Sequence, residues 1–102
     1  MAFGYGYQTA AMSIGTVTGS SGTIIAANLK RKYLRIDNTG GTPCYLGFGG
    51  AAAINAGPRI NGAGTPPSFY EMSPGKGNLY TGAITGILTV AGTAQFGVIE
   101  GT

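Results

Sequence analysis

Glycine punctuates this chain from end to end. Twenty of its 102 residues are glycine, about three times ordinary usage, and Ile, Leu, Val, Phe and Tyr fall in short groups between them. A strict Gly-X-Y period would specify a collagen helix, and a polar background would specify a disordered chain; neither is present. Short β-branched and aromatic groups separated by turn formers instead have the texture of an all-β domain with many turns. A length of 102 residues predicts one domain with a modest core. Domains of this size leave much of their apolar area near the surface, so assembly with copies of itself or with a larger partner is a natural source of extra stability.

The clearest periodicity lies in residues 28–48. Leu34 and Ile36 alternate with Tyr33, Arg35 and Asp37, and further on Cys44, Leu46 and Phe48 alternate with Tyr45 and Gly47. This is the two-residue period of strands with one buried face, and it places Phe48 on the inward side. Between the two runs, Asn38-Thr39-Gly40-Gly41-Thr42-Pro43 supplies residues that tolerate positive φ and a proline that cannot donate to a ladder. The pair is expected to form a β-hairpin at the centre of the fold.

Residues 1–12 are expected to form an extended N-terminal arm, and residues 13–102 a single β-sandwich domain. In the arm, Phe3, Tyr5 and Tyr7 are separated by Gly4 and Gly6, and glycine disfavours a regular strand. Aromatic groups on such an arm would be buried only against a partner, where they anchor interfaces; the competing account is a frayed terminus. Further strands are predicted over residues 13–18, 23–27, 68–72, 79–80, 83–90 and 93–100. Ala91-Gly92 would close a second hairpin, and a slip of alternation near Gly86 suggests a bulge. Residues 49–67, rich in Ala and Gly, read as an irregular crossing loop of the kind that belongs to an interface, and residues 73–78 as a turn. The sum is seven or eight short strands in an antiparallel two-sheet sandwich, jelly-roll-like, whose connectivity periodicity does not specify.

The inventory for chemistry is small. There is no histidine, so no His-based nucleophile or metal site can be built. Cys44 is the sole cysteine, which excludes an internal disulfide and a cysteine metal cluster; its place on an inward face predicts a small buried hydrophobe. Asp37, Glu71 and Glu100 are far apart in sequence and are expected to be solvated separately, although a fold that brought two together would offer a carboxylate dyad. Residues 47–50 and 75–77 lack Walker spacing and a following helix, so they are turns rather than phosphate loops. Lys30, Arg31, Lys32 and Arg35, near Tyr45 and Phe48, invite comparison with a single-strand nucleic-acid platform. A net charge of +3 gives little to extend such a groove, and the basic run suits contact with a partner protein or a solvated corner better. The expectations are no enzyme activity, no cofactor, no metal and no nucleic acid. With neither a secretory signal pattern nor about 20 consecutive apolar residues, synthesis in a cytoplasm and no membrane span are expected. So sparse a charge distribution suits close protein contact.

The segments Ile25-Ala26-Ala27-Asn28-Leu29-Lys30-Arg31-Lys32-Tyr33-Leu34-Arg35-Ile36-Asp37-Asn38, Cys44-Tyr45-Leu46-Gly47-Phe48-Gly49, Gly82-Ala83-Ile84-Thr85-Gly86-Ile87 and Val98-Ile99-Glu100-Gly101 together resemble small virion proteins of tailed bacteriophages. In those proteins a segment of the form A-N-x-x-R-x-x-L-x-I-x-N opens a β-sandwich, and a G-x-I-x-x-I strand precedes a terminal strand ending in Glu. The resemblance implies a head decoration, or cement, protein on the capsid surface of a virion made in a host cytoplasm. Such proteins sit on the lattice as homotrimers and bridge neighbouring capsomers, so the implied partner is the major capsid protein. The contacts expected from this chain's own composition are Phe3, Tyr5 and Tyr7 in the arm and Lys30, Arg31 and Lys32 at the strand entry. The alternative is a carbohydrate- or receptor-binding module of a phage tail or fibre that would present Tyr45, Tyr70 and Tyr80.

Overall fold

A computed structural model describes residues 10–102; Phe3, Tyr5 and Tyr7 lie outside the described residues. Eight strands follow one another: β1 (Ala10–Thr18), β2 (Gly22–Ile25), β3 (Tyr33–Asn38), β4 (Cys44–Phe48), β5 (Arg59–Ile60), β6 (Phe69–Met72), β7 (Ile84–Leu88) and β8 (Thr93–Gly101). A 3₁₀ turn, Pro74–Lys76, lies between β6 and β7, capped by the Ser73 side chain. The strands form two antiparallel four-stranded sheets, ordered β1-β8-β3-β6 and β2-β7-β4-β5. That order, in which the chain changes sheet at every connection except β4 to β5, is the eight-stranded jelly roll. The expected two-sheet sandwich is therefore what forms.

Its central hairpin is not. β3 pairs with β6 and β8, whereas β4 pairs with β5 and β7, so the two strands lie in opposite sheets. Residues 39–43 form an arch across the end of the sandwich, held by the buried Asn38 side chain, whose amide donates to Thr42 O at 2.7 Å and whose oxygen accepts from Gly40 N at 3.0 Å. Turn chemistry and strand period are the same for an arch and a hairpin; the difference is which edge β3 finds, and β8 takes it. Ala91-Gly92 likewise joins β7 and β8 across the two sheets rather than within one. Residues 10–12, expected in the arm, belong instead to β1, which begins at Ala10 and pairs residue for residue with β8 as far as Thr18. Residues 79–80 form no strand, although both side chains pack against the core.

The core is the meeting of Val17, Leu34, Ile36, Met72, Phe96 and Val98 from one sheet with Ile24, Cys44, Leu46, Ile60, Ile84 and Leu88 from the other. β7 alternates buried with half-buried residues without a slip, and β3 does so from Leu34 to Asn38, while Tyr33, which its period places outward, is also buried. The slip at Gly86 has a packing cause: the register shift lies in β2, between Thr23 and Ile25, and Gly86 pairs regularly with Gly22 and Leu46. A Cβ on Gly86 would meet Ile24 Cδ1 at 2.6 Å, and one on Gly15 would meet Ile24 Cγ2 at 2.6 Å. Ile24 thus fills the space that two glycines leave on facing strands.

Residues 49–67 form neither a free crossing loop nor a helix. They fold back over β4: Leu46 N donates to Pro58 O at 2.9 Å, Ala52 N donates to Ser21 Oγ at 2.7 Å, and β5 adds the fully buried Ile60 to the core. Gly57 permits the close approach, with φ of 78° and the Leu46 carbonyl oxygen where a Cβ would have to sit. A side chain there is strained twice, by the left-handed backbone and by collision with main chain that cannot move aside. Gly57→Ala is expected to lower the unfolding free energy by about 1–3 kcal/mol, whereas Gly50→Ala, in open space, leaves it nearly unchanged. Urea denaturation of the two variants measures the difference.

Candidate interaction surface

The basic run at the entry to β3 divides into two kinds of residue. Lys30 and Lys32 are exposed. Arg31 is buried, which corrects its assignment as an outward contact: its side chain has no exposed surface. Nε donates to Glu100 Oε2 at 2.6 Å, Nη1 to Tyr80 O at 2.8 Å and Gly82 O at 3.0 Å, and Nη2 to Ala26 O at 2.8 Å. The forked guanidinium collects one carboxylate and three carbonyls that no ladder satisfies. Lysine, a single point of charge, has no equivalent geometry.

The outer face of the β1-β8-β3-β6 sheet carries Arg35, Asp37 and Glu71. Register places Met12, Ile99, Arg35 and Glu71 in one row across the sheet and Ile14, Gly97, Asp37 and Phe69 in the next. Arg35 binds Asp37 through Nε at 3.0 Å and stacks its guanidinium 4.1 Å from the centre of the Phe69 ring. Glu71 accepts from Tyr33 OH at 2.5 Å and lies 3.5 Å from Lys76 Nζ. Asp37 and Glu71, distant in sequence, thus reach diagonal positions on one face, each with its own cation. Glu100 is held apart from them by Arg31 on the inner side. Among the described residues no three His, Cys, Asp or Glu side chains gather into a metal site.

An open groove of about 420 Å³ runs along this face. Gly97 is its floor, since a Cβ there would touch nothing within 4 Å, and Met12, Ile99, Thr39, Ala63 and Asp37 stand at its sides. Its apolar end belongs to β1, where Met12 is 81% and Ile14 69% exposed. The signal for these residues is present in the sequence: residues 10–18 contain no charge and no proline. Placing residues 10–12 in a detached arm obscures it.

The aromatic platform does not assemble. Tyr45 is buried, its hydroxyl donating to Asn55 Oδ1 at 2.9 Å and Arg59 lying 5.7 Å from its ring centre. Phe48, expected inside, is 38% exposed at the end of β4, where it meets Tyr70 and Tyr80 at centroid distances of 5.9 and 5.6 Å. The strand period is right for Phe48, but the sandwich ends before it is covered. Cys44 is fully buried, as its period predicts. Burial pushes its thiol up from 9.0 to about 11, against a smaller opposing effect of a backbone hydrogen bond. No helix among the described residues is long and apolar enough to cross a membrane. Comparison with protein-family models, with curated proteins and with solved structures returns no match.

Two outcomes follow from this geometry. Arg31→Met is expected to cost about 3–5 kcal/mol in denaturation, because it leaves Glu100 and three carbonyls without their donor, while Lys30→Met and Lys32→Met change stability little. For Cys44, a folded-state pKa above the unfolded one means that the native form keeps its proton. Its contribution is complete below pH 9 and falls away as pH rises toward 11. The alkaline loss of stability is expected to be smaller in Cys44→Ala than in the parent chain, as read by denaturation midpoints at pH 8 and about 10.5.

Proposed function

We propose that this chain is a structural protein of a tailed-phage virion, which decorates the capsid and stabilises it by bridging capsid subunits, without chemistry of its own. The observation that carries this reading is the division of labour on the surface. Each carboxylate is held by a cation, Asp37 by Arg35, Glu71 by Lys76 and Glu100 by Arg31, while Met12, Ile14, Leu29 and Phe69 stand exposed. Ion-paired carboxylates are poorly poised for proton transfer, whereas exposed apolar groups on a charge-poor β-surface suit burial against protein. The resemblance of residues 25–38 and of the terminal strands to phage virion proteins supplies the particular setting.

In this role the rigid sandwich is the body, and the outside contacts come from Phe3, Tyr5 and Tyr7 with the exposed Lys30 and Lys32. The partner is the major capsid protein. Many identical weak contacts repeated over a lattice hold each copy through avidity. Deletion of residues 2–9, which spares β1, is expected to lower occupancy on purified particles severalfold while leaving the isolated domain folded. Full occupancy without the segment would remove its docking role, and a protein present in only a handful of copies per particle would place it in the tail instead.

A further inference from the structure

The four strand edges of this sandwich are not alike. β5 is two residues long and includes Arg59. β2 has four residues and a register shift. β6 has four, carries Glu71 and follows Pro66-Pro67. Short length, irregularity, charge and proline are the devices that stop a sheet from recruiting another chain. β1 has none of them. It is nine residues long, pairs with β8 without interruption, and contains neither charge nor proline. Its first five residues are exposed, and among the described residues nothing pairs with its outer side.

We infer that β1 is a self-association edge, along which two copies of this chain pair antiparallel about a two-fold axis and join their β1-β8-β3-β6 sheets into one. Length and charge select the partner. Pairing of β1 with the other edge of the same sheet, β6, would match four residues against nine and bring Glu71 to the seam. Pairing with a second β1 matches the whole strand and brings no charge together. The register that pairs all nine residues sets Ile14 opposite Ile14 of the second copy and Met12 opposite Thr16, so the most exposed apolar side chains of the strand cover one another. Two edges meeting over about 30 Å bury on the order of 1,000 Å², the lower bound of specific interfaces. The dimer therefore dissociates on dilution. This inference does not rest on the virion reading, and it assigns a two-fold where the resemblance implies a threefold.

Sedimentation velocity of the full chain over a hundredfold range of concentration is expected to show a reversible monomer–dimer equilibrium. Ile14→Lys, at a site too exposed to unfold the domain, places two ammonium groups at the axis and weakens the dimer by about tenfold. Mild oxidation of Ile14→Cys crosslinks two chains, because directly opposed residues lie about 4.5–5.5 Å apart at Cα, within disulfide reach. Met12→Cys does not crosslink with itself, since its two copies are offset by four residues, roughly 14 Å. Cys44 is buried and takes no part. A monomer at every concentration overturns the inference, as does Met12→Cys crosslinking as readily as Ile14→Cys. Dimers that form only after removal of residues 1–9 overturn it too, since they assign the edge to the chain's own N-terminus.

Discussion

The Arg31 guanidinium is the constraint on which one end of the sandwich depends. It joins Glu100 near the end of β8 to the carbonyls of Tyr80 and Gly82 before β7 and of Ala26 after β2. These segments serve both sheets. Carbonyls in connecting chain have no ladder to accept from, and burying them unpaired would be costly. A guanidinium with several donors in one plane satisfies them together, and the carboxylate offsets the desolvation of its charge. In a chain with only six basic residues, committing one to the interior is a large share. It leaves Lys30 and Lys32 outside as flanking charges, so a run that reads as one basic patch is a structural tie with a lysine on either side.

The sheets approach closely where side chains are missing. Ile24 sits over Gly15 and Gly86, and the Leu46 carbonyl occupies the place of a Gly57 Cβ. At these positions glycine serves less for turning than for thinness, allowing two sheets and a covering loop to pack with few large residues. The core is correspondingly small and aliphatic, with Phe96 its largest apolar member. A core of this size has little surplus with which to retain buried polar groups that lack partners. Among the described residues no buried side-chain nitrogen or oxygen lacks one.

Function follows from what remains outside. The charged groups of the β3–β6 face are engaged with one another, and the neutral β1 side exposes methionine and isoleucine beside a shallow glycine-floored groove. Such a surface is suited to being covered. The proposed capsid contact and the inferred β1 pairing are compatible, because Lys30 and Lys32 precede β3, which β8 separates from the β1 edge.

Period and punctuation, which are local, were legible in the residues. Leu34, Ile36, Cys44, Leu46, Ile84, Leu88, Phe96 and Val98 alternate in the sequence as they do in the core, and the glycines separate them into strands. Neighbours were not legible. Residues 38–43 would close a hairpin or an arch with the same chemistry, and only the arrival of β8 beside β3, from the far end of the chain, decides between them. Burial of Arg31 has the same origin, since its carboxylate lies 69 positions away. So does the exposure of Phe48, whose strand outlasts the sheet that would cover it. The sequence by itself determined the inward face of the aliphatic strand residues and where the chain turns; tertiary structure decided which strands meet and which strand ends and charged residues are covered, because both depend on edges that distant segments supply.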